Sequence, residues 1–155
     1  MMSRRWWNTV AFALVSGALL LLIVFHLTPA FEYRIGWEVW VEVASLLSDP
    51  GLMVRDTEAM VVIPGLVTAT LLLAGTPWLV PLLGKSRVLW WIMVLLSVAT
   101  CVCLSGYLIL EEIRYPGTIE WNTGSRCLLL APIAHFAGLL MIRGEKKPTS
   151  GLAAR

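Results

Sequence analysis

The sequence predicts an all-α membrane protein: four transmembrane helices, both termini on one side, and an amphipathic helical segment on the other side between helices one and two. Three observations predict it. Apolar residues make up 58% of the 155-residue chain and charged residues only 14%, whereas a soluble domain carries about 25% charged residues to cover a wet surface. Mean hydropathy is +0.79, so most of the surface suits lipid or other apolar helices. The apolar residues also gather into four runs, at about 6–27, 58–83, 88–110 and 127–142, and helices near 20 residues long cross a hydrocarbon core about 30 Å thick. One four-helix domain is expected over residues 1–155.

The first span follows Arg4 and Arg5. The Ser3-Arg4-Arg5 start resembles a twin-arginine export signal, but the apolar run from Trp6 to Leu27 is about 20 residues, against roughly 7–15 for a signal core. A retained helix is therefore expected, anchored at the interface by Trp6 and Trp7. Thr28 and Pro29 end it and open a segment, 28–57, that is neither span nor tail.

Within that segment, Phe31 to Gly51 can be read with two periods. As a strand, Tyr33, Ile35, Trp37, Val39, Val41 and Val43 alternate with polar residues, but Trp40 falls on the polar face and no partner strand of similar length exists. As a helix, Trp37, Trp40, Val41, Ala44 and Leu47 share one face, with Glu38, Glu42, Ser45 and Asp49 opposite, and Ser48 to Gly51 supplies a stop. The helix accounts for more of the residues and is the expectation.

The second span carries Pro64 near its first turns, and Gly75, Thr76, Pro77 and Pro81 in its last third, where a kink is expected. Trp78 should sit at the far interface. Gly84 to Arg87 is a tight basic turn. The third span opens with Trp90 and Trp91 and closes with Glu111, Glu112 and Arg114. Residues 111–126, with Pro116, Gly117 and Gly124, read as loop. The fourth span leads into a basic tail, 143–155.

Charge then orients the chain. With four spans, both termini and the Lys85–Arg87 turn share a side that holds eight basic residues and one carboxylate. The opposite side holds four basic residues and nine carboxylates. The positive-inside rule makes the basic side cytoplasmic and the 28–57 segment external, as in a bacterial-type inner membrane.

Function is approached by elimination. No basic run interleaves with aromatics, so nucleic acid is not an expected partner. No Asp, Glu, Lys or Arg lies in the apolar core of a span, where transporters and proton relays keep an ionisable group. Four-helix multidrug exporters rely on an embedded glutamate in the first helix, and none lies between Trp6 and Leu27. Membrane disulfide oxidases need exchanging cysteine pairs near the outer surface. Cys101 and Cys103 are mid-span and two residues apart, so they point to nearly opposite faces of a helix, and only Cys127 is near the outside. The embedded arginine-and-glutamate pattern of the glutathione-linked membrane enzymes is missing from Thr57 to Leu83.

His135 is a candidate cofactor ligand, and His26 with Glu111 and Glu112 a candidate outer metal site. His26 and His135 differ in depth by roughly 10–14 Å at 1.5 Å per residue, so one haem cannot use both. The expectation for each histidine is a structural role, with His135 bonded to a neighbouring helix and His26 to interfacial water. No cofactor is implied. Small residues four apart occur in every span: Ala13 and Gly17; Gly65 and Ala69; Ser97, Cys101 and Ser105; Ala134 and Gly138. Such spacing lets helices approach closely, within the chain or against another. Trp37, Trp40 and Trp121 beside Glu38 and Glu42 suit either the interfacial aromatic belt or a partner.

These observations point to a non-catalytic membrane subunit, a scaffold, accessory or sensor, in contact with lipid and with other membrane subunits or copies of itself. The competing expectations are a small oligomeric channel or transporter lined by Thr68, Thr70, Ser97, Thr100 and Ser105, and a redox or pigment-binding subunit using His135.

Overall fold

Lipid offers backbone groups no hydrogen bonds, so an apolar run that crosses it must bond within itself, as a helix. All four runs do so. The computed structural model describes residues 4–31, 34–48, 51, 57–114, 116 and 121–142. In chain order its elements are α1 (Arg4–Leu27), β1 (Pro29–Phe31), β2 (Arg34–Ile35), α2 (Gly36–Ser48), α3 (Thr57–Leu83), α4 (Arg87–Arg114) and α5 (Thr123–Met141). α1, α3, α4 and α5 are long and apolar enough to cross a membrane. The 143–155 tail lies outside the described residues, as do parts of the 28–57 and 111–126 connections.

Two boundaries differ from the sequence expectation. α4 continues through Arg114, and α5 begins at Thr123 rather than near 127, so the connection between them is shorter than the sequence suggested. Thr123 to Arg126 is polar and escapes a hydropathy reading, yet it forms the first turn of α5. α3 runs unbroken through Pro64, Pro77 and Pro81.

The segment after α1 is also more divided than expected. Helix does not begin until Gly36. Before it the chain reverses through a short antiparallel hairpin, with Pro29 opposite Ile35 and Phe31 opposite Arg34. Pro29 cannot donate to a continuing α1, which favours the reversal there. The carboxylate of Glu38 accepts the Ile35 N–H at 3.0 Å, the reach-back bond of a capping box that satisfies a donor at the start of α2.

α5 is the central helix. It packs most extensively on α1 and also against α4, α3 and β1. Its contact with α1 is close because Gly138 has no side chain: a Cβ there would lie 2.8 Å from Val15 Cγ2 and 3.1 Å from the Ala11 carbonyl oxygen. Gly65 meets Cys103 in the same manner between α3 and α4, with room to spare at 3.5 Å.

The apolar core is divided. One cluster, near the hairpin, joins Ala18, Leu22, Phe25, Val43, Leu66, Leu73, Leu104, Leu128 and Ala131. A second, toward the Lys85 turn, joins Ala11, Leu72, Leu83, Met93, Val94, Leu139 and Ile142. Between them, on three of the four helices, lie buried polar side chains.

Candidate functional site

Those polar side chains are Thr76 of α3, Ser97 and Thr100 of α4, and His135 of α5, all buried. His135 is about 18 Å along α5 from Thr123, at 1.5 Å per residue. Its Nδ1 is 2.9 Å from Ser97 Oγ and its Nε2 is 2.8 Å from Thr76 Oγ1. The Thr76 hydroxyl gives its one proton to the Leu72 carbonyl at 2.6 Å. Thr76 can therefore only accept from His135, so Nε2 carries the ring proton and Nδ1 accepts from Ser97. Both nitrogens are satisfied in that neutral tautomer, and one side chain ties three helices together. A cofactor metal bound to His135 would first have to displace Ser97 or Thr76.

A second bond of this kind closes the Lys85 end. The indole N–H of Trp90 donates to the Leu139 carbonyl at 2.8 Å. That carbonyl, in the last turn of α5, also accepts the Ile142 N–H at 3.2 Å. The hairpin end is held by Asn122. Its amide lies 2.7 Å from the Pro29 carbonyl oxygen and 2.9 Å from that of Ala30, which places its nitrogen, the only donor, on that side. Gly124 lets the strand approach: a Cβ there would lie 2.5 Å from the Pro29 oxygen and 2.9 Å from Ala30 Cα.

His26 is the fourth anchor. Its Nδ1 is 2.7 Å from the Leu22 carbonyl oxygen, and the Trp40 indole N–H meets its Nε2 at 2.7 Å. The rings are 6.2 Å apart at centroid and 9° from coplanar. With the bond in place they meet edge to edge rather than face to face. The expected water contact at His26 is thus replaced by a half-buried bond within the chain, because the hairpin folds α2 back onto the end of α1.

This bond also decides which face of α2 packs. Gly36, Val39, Trp40 and Val43 face the bundle, at i, i+3, i+4 and i+7. Trp37, Val41 and Leu47 remain 55%, 54% and 54% exposed, and Ala44 is exposed beside them. The single apolar face expected from the sequence is therefore two neighbouring stripes, with Trp40 on the packed one and Trp37 on the free one. Gly36 explains the selection. A Cβ at that position would overlap the Phe25 carbonyl oxygen, so only glycine brings α2 this close to α1.

Comparison with known protein families, curated proteins and solved structures finds no match for this chain.

The remaining candidates scatter. Trp121 is 39% exposed at the hairpin end. Glu38 is exposed, with its carboxylate engaged by Ile35. The side chains of Glu42 and Glu111 lie outside the described residues, and Glu112 is half-buried near the end of α4. Among the described residues no three His, Cys, Asp or Glu side chains gather to hold a metal. Cys127 is buried, Cys101 and Cys103 are half-buried, and all three are free thiols.

Of the small-residue pairs, Gly65 with buried Ala69, and Ala134 with Gly138, lie in helix contacts or the core margin. Ser97 is buried at His135, with Cys101 and Ser105 half-buried on the same helix. Ala13 and Gly17 differ. Ala13 is exposed, nothing lies within 4 Å of a Cβ placed on Gly17, and α1 packs instead through Ala11, Val15, Ala18 and Leu22. The hydroxyl set Thr68, Thr70, Ser97, Thr100 and Ser105 does not collect on one outer face. Ser97 and Thr100 are buried and the other three half-buried. The hydroxyls of Thr70 and Thr100 are buried without a hydrogen-bond partner.

Sequence reasoning missed Thr76, Asn122, Gly36 and Gly124 as structural determinants. The Asn122-Thr123-Gly124-Ser125 stretch did carry a signal, since Asn is a strong helix N-cap, but it sat inside a stretch read as loop.

Proposed function

We propose that this chain is a non-catalytic integral subunit, a scaffold or accessory protein, of a larger or homo-oligomeric complex in a bacterial-type inner membrane. Its termini are cytoplasmic, and α2 with the hairpin lies on the outer side. The observation that carries the reading is the free stripe of α2. A helix pinned to the bundle along one face still presents Trp37 and Val41, both over half exposed, beside the exposed Glu38. Aromatic residues of this kind dominate protein interfaces and are costly to leave in water. The unpacked Ala13 and Gly17 on α1 offer a second contact within the membrane.

The test is purification in mild detergent, comparing the unmodified chain with Trp37→Ala. We expect a defined assembly, homo-oligomeric or with a copurifying subunit, that weakens at least tenfold in the variant while the monomer fold persists. A lone monomer from the unmodified chain would sink the proposal. An assembly indifferent to Trp37→Ala would return Trp37 to the lipid interface.

A further inference from the structure

We propose that His26 is a proton-operated latch that holds α2 against the end of α1. The argument rests on the direction of two hydrogen bonds. A carbonyl oxygen only accepts, so the bond to Leu22 requires the proton of the ring on Nδ1. An indole nitrogen only donates, so the bond from Trp40 requires a bare Nε2. The contact therefore exists for one protonation state and one tautomer of His26. Adding a proton at Nε2 sets two N–H groups against each other across 2.7 Å, and neither partner can rotate to relieve it. A hydroxyl could reverse its role, but an indole cannot.

The surroundings suit a latch. His26 is only half-buried and sits in the last turn of α1, so water reaches it from the hairpin end. The charged residues on elements at this end are Glu38 and Glu42 of α2, Arg34 of β2, Glu58 of α3, Glu111, Glu112 and Arg114 of α4, and Arg126 of α5. Glu38 is engaged by the Ile35 N–H and Arg126 is exposed, while the side chains of Arg34, Glu42 and Glu58 lie outside the described residues. The other histidine differs. His135 bonds hydroxyls, and Ser97 can turn from donor to acceptor if the ring gains a proton.

The part that moves is bounded as well. The hairpin is tied down independently, by Asn122 to the Pro29 and Ala30 carbonyls and by the Gly36 N–H to the Thr28 carbonyl at 3.2 Å. Release of Trp40 thus frees α2 beyond Gly36 and leaves the hairpin in place. It uncovers Val39 and Val43, which the latched state packs against the core. The sign follows directly: the latch is closed when His26 is neutral and opens as pH falls. This inference does not depend on what, if anything, binds α2.

The test is NMR of the full chain in nanodiscs, labelled at histidine and at the tryptophan indole nitrogen, from pH 8 to pH 5. Trp40→Phe identifies the Trp40 signal, and Trp90, bonded to a backbone carbonyl, serves as the pH-insensitive control. We expect the Trp40 indole N–H to shift and its exchange with water, taken relative to that of Trp90 at each pH, to become about tenfold faster at low pH, with the same midpoint as the His26 ring. His26→Gln, which keeps an acceptor but cannot titrate, should abolish the change while leaving the Trp90 signal in place. The proposal is overturned if His26 stays neutral to pH 5. It is equally overturned if His26 titrates while Trp40 does not respond, or if Trp40 responds as strongly in His26→Gln.

Discussion

Thr76 Oγ1 lies 2.8 Å from His135 Nε2, though fifty-nine residues separate them in the chain. The bond joins α3 to α5, and Ser97 on the other side of the ring brings in α4. The imidazole thus fixes the relative depth of three helices whose contacts are mostly apolar. Apolar surfaces slide over one another at little cost in lipid, whereas a histidine with two directional partners admits one register.

Thr76→Val keeps the shape and removes the acceptor, stranding the Nε2–H inside the bundle. The expected loss is about 1–2 kcal/mol, between typical interhelical bonds in membranes and the penalty for a buried unpaired donor. Thr76→Ser should recover most of it. Reversible unfolding in mixed micelles measures both, and a Thr76→Val protein as stable as the parent would contradict the account.

Two helix glycines give opposite expectations. Gly138→Ala forces a methyl toward Val15 and the Ala11 carbonyl, where overpacking costs about 1–3 kcal/mol. Gly17→Ala meets nothing within 4 Å and should be neutral or stabilising by up to about 1 kcal/mol. Equal effects at the two sites in the same unfolding assay would mean that α1 packs through a different face.

Gly36→Ala tests the hairpin end. The added methyl collides with the Phe25 carbonyl, a backbone atom that cannot step aside. Loss of the α2 contact is expected, at about 2 kcal/mol or more. Hydrogen exchange of α2 amides should accelerate in the variant while exchange in α5 is unchanged. Uniform protection throughout would show that the approach is less tight.

Trp90→Phe removes one donor and keeps most of the ring. The Leu139 carbonyl loses its cross-helix partner, and the expected cost is about 0.5–1.5 kcal/mol. Faster exchange should be confined to the last turn of α5. A change spread over the whole bundle would refute this local role.

The outline of the bundle was legible because hydrophobic runs of span length report helices directly, whatever their neighbours. Boundaries were less so. Thr123 to Arg126 forms the first turn of α5 although its residues are polar, because helix ends are set by local polar bonds, such as Ser125 Oγ–H to the Asn122 carbonyl at 3.1 Å, and by Gly124 passing against β1 rather than by hydropathy. In α2 the period was readable and the face was not. Trp37 and Trp40 are three residues apart and equally apolar in sequence, yet Trp40 bonds His26 and Trp37 stays exposed.

By itself the sequence determined that four helices form, since chain composition alone sets whether a segment is stable in lipid. It also held the charge asymmetry from which an orientation is argued. The tertiary structure alone decided which polar groups meet. Thr76, Ser97 and His135, like His26 and Trp40, become partners only after separate helices are set side by side. Hydrogen bonds act over about 3 Å and depend on direction, and neither property is encoded in the order of residues along the chain.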